Sequence, residues 1–535
     1  MENNQKSSVT KSLALSFYTF LSRILGLIRD HYMAITFGTG WVASAFSIAY
    51  RLPNMYRNLL AEGTLSQSFM PIYSDAEKES KEEAKIVAGT VLTFLFTMLT
   101  IFVAVFVLLA PFLLPILVGG TKEYQDLVIK LSLILFVLIM TASLSSIYMA
   151  ISNSQQKFFV PSLSPIILNL SYIIVFLFII NNYNEMIEKV QILCYGIIIG
   201  GVTQLLVQSF YVRSLGLSPS LNFNWKHSAI KRIFSLMLPA VIGGGFYQIS
   251  LLIDIFLANF IQNNNPGLGA VVSLDYSQRL IQFPTGIIGV ALATTTLPSL
   301  LASLKNDEKD KIPGELVHVI QFSLFLTLPA AFGFLIAGRS IIDSIFYGGK
   351  WGYESTESTL KALRFYAMAI PLFSLNKILT SSYYAFKDTK TPLKANMISF
   401  TFNIISNLIL MNFLKHAGLA LSSAISALLT FVLLFNNLSK HSVSVNFEEL
   451  KNGIYKFAIP LTGLILSLAL MELIFYERLI VFILELDLSF SNASRIYLFI
   501  TISFSTLIYF VLSNVLHVSE FDMIFGKLIG KIKKS

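Results

Sequence analysis

The chain is short of charge. Only 13% of its 535 residues are Asp, Glu, Lys or Arg, about half the share found in a soluble domain. That deficit excludes a water-soluble protein of ordinary composition. Cysteine is almost missing. The single Cys194 lies in an apolar run, so neither a disulfide framework nor a cysteine metal site is possible. The 6 histidines are scattered without ligand spacing, which fits surface or interface positions. No Gly-x-x-x-x-Gly-Lys-[Ser/Thr] loop, metal motif, nucleophile elbow or paired-carboxylate motif occurs. ATP hydrolysis by a phosphate-binding loop is therefore excluded, and neither enzymatic chemistry nor an organic cofactor is expected. A nucleic-acid role fits poorly too. The net charge is +9, but there is no soluble domain to carry it.

Apolar sequence is what the chain has instead. It is 55% hydrophobic, and apolar runs of bilayer length recur along it, giving about 14 spans by the length criterion. The reading is an all-α polytopic membrane protein. The first span, about residues 13–35, is too long for a signal-peptide core and has no small-residue cleavage site, so no cleaved leader is expected. Loop charge sets the orientation. With Lys6 and Lys11 inside, alternate loops place roughly 23 of the 39 Lys and Arg on that side and roughly 8 on the other. Both termini are then cytoplasmic, and the basic loops face anionic membrane lipids.

A duplication runs through the spans. Arg51-Leu52 followed by Pro71 is echoed by Arg279-Leu280 followed by Pro298. A weaker echo relates Tyr148-Met149-Ala150 and Pro161 to Tyr383-Tyr384-Ala385 and Pro392. Both offsets are near 230 residues. This predicts two six-helix lobes, 10–220 and 228–442, related by an axis along the membrane normal. Two further helices within 450–520 have no counterpart in the repeat. Prolines sit within or at the ends of many spans, where they kink helices. Gly243-Gly244-Gly245 is read as opening the seventh span and Gly200-Gly201 as interrupting the sixth. Such glycines serve as hinges or as close packing points, and the sequence leaves both open.

The stretch from Ser22 to Pro71 holds four arginines inside apolar helices: Arg23, Arg29, Arg51 and Arg57. A central arginine costs about 2.5–3.5 kcal/mol on insertion scales, so four facing lipid would cost roughly 10–14 kcal/mol. Lining a hydrated cavity avoids that cost, and inward guanidiniums make a site for an anion such as phosphate. Helical positions seven apart share a face. Ser22 thus aligns with Arg29, Arg23 with Asp30, and Arg51 with Glu62, eleven residues on. The acids either lock helices together as ion-pair staples or orient and release the guanidiniums. Arg279, Arg364 and Lys377 add cations in the repeat, while Arg339 lies nearer a span end. An amphiphile with a charged head and a long apolar chain suits such a cavity better than a small soluble anion does.

At these residues the sequence resembles the MurJ/MviN lipid II flippases. The resemblance rests on Ser22-Arg23-x-Leu25-Gly26-x-x-Arg29-Asp30, on Leu52-Pro53-Asn54-x-x-Arg57 and on Ala61-Glu62-Gly63-x-x-Ser66-Gln67-x-Phe69-x-Pro71-Ile72. It continues through Pro161–Asn169, Gln278-Arg279-Leu280-x-x-Phe283-Pro284-x-Gly286 with Gly289-Val290-Ala291, and Asp388-Thr389-Lys390-Thr391-Pro392. The resemblance implies the MOP-exporter fold with a V-shaped central cavity. It also implies alternating access that carries undecaprenyl-diphosphate-linked peptidoglycan precursor, lipid II, to the outer leaflet of the bacterial inner membrane. It assigns Arg23, Arg29, Arg57 and Arg279, with Arg51 beside them, to the diphosphate, and Ser22, Asp30 and Glu62 to support or gating. The last two helices would form a lipid-tail groove, and cell-wall synthesis and division proteins would be partners.

Two departures stand out. Ser44 occupies a position where many family members have an acid, which removes any gate pairing that needs one. Family members with a sodium site use polar residues on the seventh, eleventh and twelfth spans. The matches here are Asp254, Asn403, Asn407 and Ser423, with an asparagine at 407 that weakens a cation site; Asn403 and Asn407 serve equally as a helix-packing pair. The coupling ion implied is sodium or a proton. Rival readings are a drug or polysaccharide-precursor exporter of the same fold group and a non-transporting scaffold for cell-wall assembly.

Overall fold

A computed structural model describes residues 2–58, 64–306, 308–441, 443, 445–485 and 487–523. Helices dominate because an apolar run in lipid must satisfy its backbone within itself. The chain forms two compact units, residues 1–267 and 268–535. The first unit begins with α1 (Glu2–Phe37) and a broken segment, α2 (Trp41–Tyr56) and α3 (Leu65–Glu79). It continues with α4 (Lys81–Val118), α5 (Lys122–Leu135), α6 (Leu138–Ser154), α7 (Phe159–Ile174), α8 (Met186–Ser214) and α9 (Ser228–Asn264). In the second unit α10 (Ala270–Pro284) passes through a π-turn, Thr285–Gly289, into α11 (Val290–Lys305). Then come α12 (Ile312–Ile336), the short α13 (Gly338–Phe346), α14 (Tyr353–Met368) and α15 (Ile370–Ala385). The chain goes on through α16 (Lys390–Leu414), α17 (His416–Asn437), α18 (Phe447–Leu470), α19 (Tyr476–Leu484) and α20 (Phe490–Val515).

Among the described residues 10 helical segments are long and apolar enough to cross a bilayer. With α1, the broken pair α2–α3, α9 and the pair α14–α15 they make up the fourteen segments expected from hydropathy. Lipid-facing surface is plain on α4, where Phe112 and Ile116 are 72% and 81% exposed. Helix starts carry their own caps. Ser80 Oγ accepts the Glu83 N–H at 3.0 Å to begin α4, and Asn446 Oδ1 accepts Glu448 N–H at 3.1 Å to begin α18.

In the first unit Leu65, Phe69, Ile72 and Tyr73 of α3 pack with Val87 and Val91 of α4 and Ile147 and Ile151 of α6. In the second, Leu300, Leu316, Leu379 and Leu434 join α11, α12, α15 and α17. Helix α9 packs on α2, α3 and α4 and falls in the first compact unit. The glycine readings change. Gly243-Gly244-Gly245 lies well inside α9, and Gly200-Gly201 sits in an unbroken α8. A Cβ on Gly200 would come within 2.2 Å of Ser171 Oγ, and one on Gly201 within 2.7 Å of Leu138 Cδ1. Close packing, not a break, explains this pair.

Candidate substrate-binding site

Arg29 is the best-defined cation of the first unit. Its Nε and Nη2 donate to Asp30 Oδ1 at 3.0 and 2.8 Å, and its Nη1 donates to Asn169 Oδ1 of α7 at 2.9 Å. Asn169 Nδ2 in turn donates to the Ser22 carbonyl at 3.0 Å. The Tyr172 ring lies 5.3 Å from the guanidinium carbon, within cation–π range. The helical-face argument pairs Asp30 with Arg23. In the structure Asp30 accepts from its chain neighbour Arg29. Arg29 is thus fixed by an acid, an amide and a ring.

Arg23 of α1, Arg51 of α2 and Arg57 just past the end of α2 are half-buried. Arg57 Nη2 donates to Asn54 Oδ1 at 2.9 Å, one turn back, and Arg51 Nη2 reaches the Leu251 carbonyl of α9 at 3.5 Å. Beyond Tyr56 the helix widens into π-type turns at Arg57 and Asn58. Glu62, the acid aligned with Arg51, lies outside the described residues.

In the second unit Arg279 repeats the pattern of Arg29. Its Nη2 pairs with Asp275 Oδ2 at 2.9 Å, and the Tyr276 ring lies 5.5 Å from its guanidinium carbon. Each unit therefore has an arginine held by a carboxylate and an aromatic ring inside apolar helix. Sequence reasoning passed over Asn169, Tyr172, Asp275 and Tyr276. Asp275 was visible as an acid four residues before Arg279, on the same helical face. Asn169 was visible only as the last residue of a motif.

Ser44 is buried, and its Oγ lies 3.0 Å from Gln262 Oε1 of α9 and 3.2 Å from the Gly40 carbonyl. The position without an acid is thus occupied by a neutral hydrogen bond. For the cation candidates, Asp254 is buried in α9. Asn407 Nδ2 donates to Asn403 Oδ1 at 3.2 Å, and Asn403 Nδ2 donates to Ser422 Oγ at 3.2 Å. Ser422, not Ser423, faces this amide ladder. The α16 and α17 groups carry no formal charge, and this amide ladder joins the two helices through neutral hydrogen bonds. Among the described residues no group of three His, Cys, Asp or Glu could hold a metal ion.

A family model described as lipid II flippase MurJ matches residues 33–490. The chain belongs to the MurJ family. A relative in Rickettsia prowazekii, named "Probable lipid II flippase MurJ", is 31% identical over 80% of this chain and 83% of its own. The Burkholderia cenocepacia protein named lipid II flippase MurJ is 29% identical over 85% of this chain and 88% of its own. A solved lipid II flippase MurJ in an inward closed conformation superposes with a TM-score of 0.72, covering 97% of this chain and 100% of that one at 24% identity. A multidrug-resistance MATE transporter of the MOP superfamily, facing inward, gives 0.67 at 15% identity, covering 80% of this chain and 98% of that one. The fold is therefore the one MurJ shares with the MOP transporters, and the chain is a multi-pass membrane protein of a transporter family.

Proposed function

We propose that this chain flips lipid II, the undecaprenyl-diphosphate-linked peptidoglycan precursor, from the inner to the outer leaflet of the cytoplasmic membrane by alternating access. The observation that carries the proposal is the pair of arginine–carboxylate–aromatic clusters, Arg29 with Asp30 and Tyr172 and Arg279 with Asp275 and Tyr276, set in the apolar helices of a MurJ family chain. Arg23, Arg51 and Arg57 join them as cations for the diphosphate, and Ser22, Asp30 and Glu62 support or gate. A guanidinium meets phosphate through two parallel donors, and a ring and an acid hold its plane in place before substrate arrives. The lipid tail stays against the bilayer, beside the last two helices, because drawing it into a wet cavity would be costly. The energy source is the membrane potential or an ion gradient, and both termini are cytoplasmic.

The test is complementation of cells depleted of their own flippase. The intact chain restores outer-leaflet precursor, while Arg29→Ala and Arg279→Ala do not, at equal expression. A chain that expresses well and restores nothing overturns the proposal. Tolerance of both substitutions would favour a drug exporter or a scaffold.

A further inference from the structure

Lys377 is a cation in the middle of α15, and its side chain is exposed. Its Nζ donates to the Thr285 carbonyl at 3.2 Å, in the π-turn where α10 passes into α11. The turn follows Pro284, which has no N–H to continue the helix, and π-turns leave carbonyls turned out of the regular ladder. Gly289 lets the lysine stem cross: a Cβ there would stand 3.3 Å from Lys377 Cδ and 3.0 Å from Ser374 Oγ. Ser374, one turn before Lys377, is fully buried, and its hydroxyl has no hydrogen-bond partner.

The internal repeat gives the location a meaning. Arg51 and Arg279 are 228 residues apart, and the same step from Arg57 reaches Thr285. Both places are π-type turns after an arginine-bearing helix. In the first unit that turn carries its own guanidinium at Arg57. In the second the residue is a threonine, and a cation arrives from α15 instead. We infer that Lys377 is the second unit's counterpart of Arg57, a phosphate-binding cation that acts with Arg279 on a diphosphate headgroup. The inference rests on the lipid II reading above.

Capping a carbonyl does not require a charge. On the same helix Asn376 Nδ2 caps the Ala427 carbonyl at 2.9 Å, and Ser381 Oγ caps that of Ala293 at 3.0 Å, both as neutral groups. A lysine brings three donors and a full charge, which lipid would penalise and an anion would use. Thr285 lies about 9 Å along the helix from Arg279 at 1.5 Å per residue, so one elongated headgroup reaches both. Ser374 Oγ adds a neutral donor beside the ammonium.

The experiment measures lipid II binding to the purified full-length chain at several salt concentrations, with thermal midpoints, for the intact protein, Arg29→Ala, Lys377→Met and Lys377→Arg. Lys377→Met is expected to bind roughly tenfold or more weakly, the loss typical of a charge-assisted hydrogen bond. Its salt dependence is expected to be shallower, since one cation fewer meets the phosphates. Lys377→Arg is expected to recover most of the affinity. Binding by Lys377→Met at the intact level, with the Arg29→Ala control weakened, overturns the inference and leaves the lipid II reading standing. Loss of binding that tracks a lowered midpoint, with no rescue by arginine once the midpoint is restored, reduces Lys377 to a helix cap and also overturns it. Failure of the intact chain to bind lipid II refutes the function and the inference together.

Discussion

The direction of Arg29 is set by neighbours of different chemistry, the acid Asp30 and the amide Asn169, and the two separate experimentally. Asn169→Ala removes the acceptor at 2.9 Å and frees the guanidinium to swing. The expected result is lipid II binding weaker by about tenfold, within the range for a lost hydrogen bond to a charged group. Asn169→Asp keeps the shape but puts a second carboxylate on the same guanidinium. If the charge of Arg29 is what the substrate meets, the aspartate variant binds more weakly than the alanine one, and an opposite order refutes that role. At the other end of the chemistry, Asp388 in the loop before α16 shows a carboxylate used for architecture. It accepts the Lys390 and Thr391 N–H groups at 3.0 and 2.9 Å and the Thr391 hydroxyl at 2.6 Å, and it faces His441 Nε2 at 3.0 Å. Partial burial pushes its carboxyl up, but these hydrogen bonds outweigh that and hold it at about 2, below the ordinary 3.8. The folded state thus binds this proton less readily than the unfolded chain does. The stabilisation is complete above about pH 4 and is lost as pH falls toward 2. Asp388→Asn should flatten the acid limb of a thermal-melt pH series in detergent and leave the neutral-pH cost near 1 kcal/mol, as for a lost helix cap.

At the scale of elements, the connection between α8 and α9 is held to α4 by backbone. Ser220 N–H donates to the Lys85 carbonyl at 3.0 Å, and a Cβ on Gly89 would stand 1.6 Å from Ser220 O. Gly89→Ala therefore has to lift this strap off the helix. The expected loss is about 1–3 kcal/mol, as for an overpacked site, read as a lower thermal midpoint; an unchanged midpoint would show that the strap is not seated there. Hydropathy found α4 and α8 because both are continuous apolar runs, and it found the strap only as a gap. It misplaced the Gly243 cluster and the Gly200 pair for a related reason. Glycine in a lipid-embedded helix is tolerated without breaking it, so composition alone does not separate a break from a packing notch. The π-turn at Thr285–Gly289 was equally hidden, although Pro284, Gly286 and Gly289 marked the region as irregular.

For the whole molecule the sequence was most informative where physics is least local. Span number and class follow from bilayer thickness, and the embedded arginines follow from the cost of charge in hydrocarbon. What stayed illegible was pairing: Asn169 with Arg29, Ser422 with Asn403, and the attachment of α9 to the first unit all depend on which helices become neighbours. Orientation is a property of the same global kind. Roughly 23 of 39 Lys and Arg fall in one set of alternate loops and roughly 8 in the other, a bias that charge-dependent insertion reads directly. The buried Cys194 makes the test clean. In a Cys194→Ser background, single cysteines at Asn306 and Lys440 should react with a membrane-impermeant thiol reagent only after the cells are opened. Cysteines at Lys122 and Lys350 should react in intact cells. Because the two pairs lie in opposite sets of alternate loops, one reversed pair would mean that a span has been miscounted between them, and full reversal would turn the whole molecule over in the membrane.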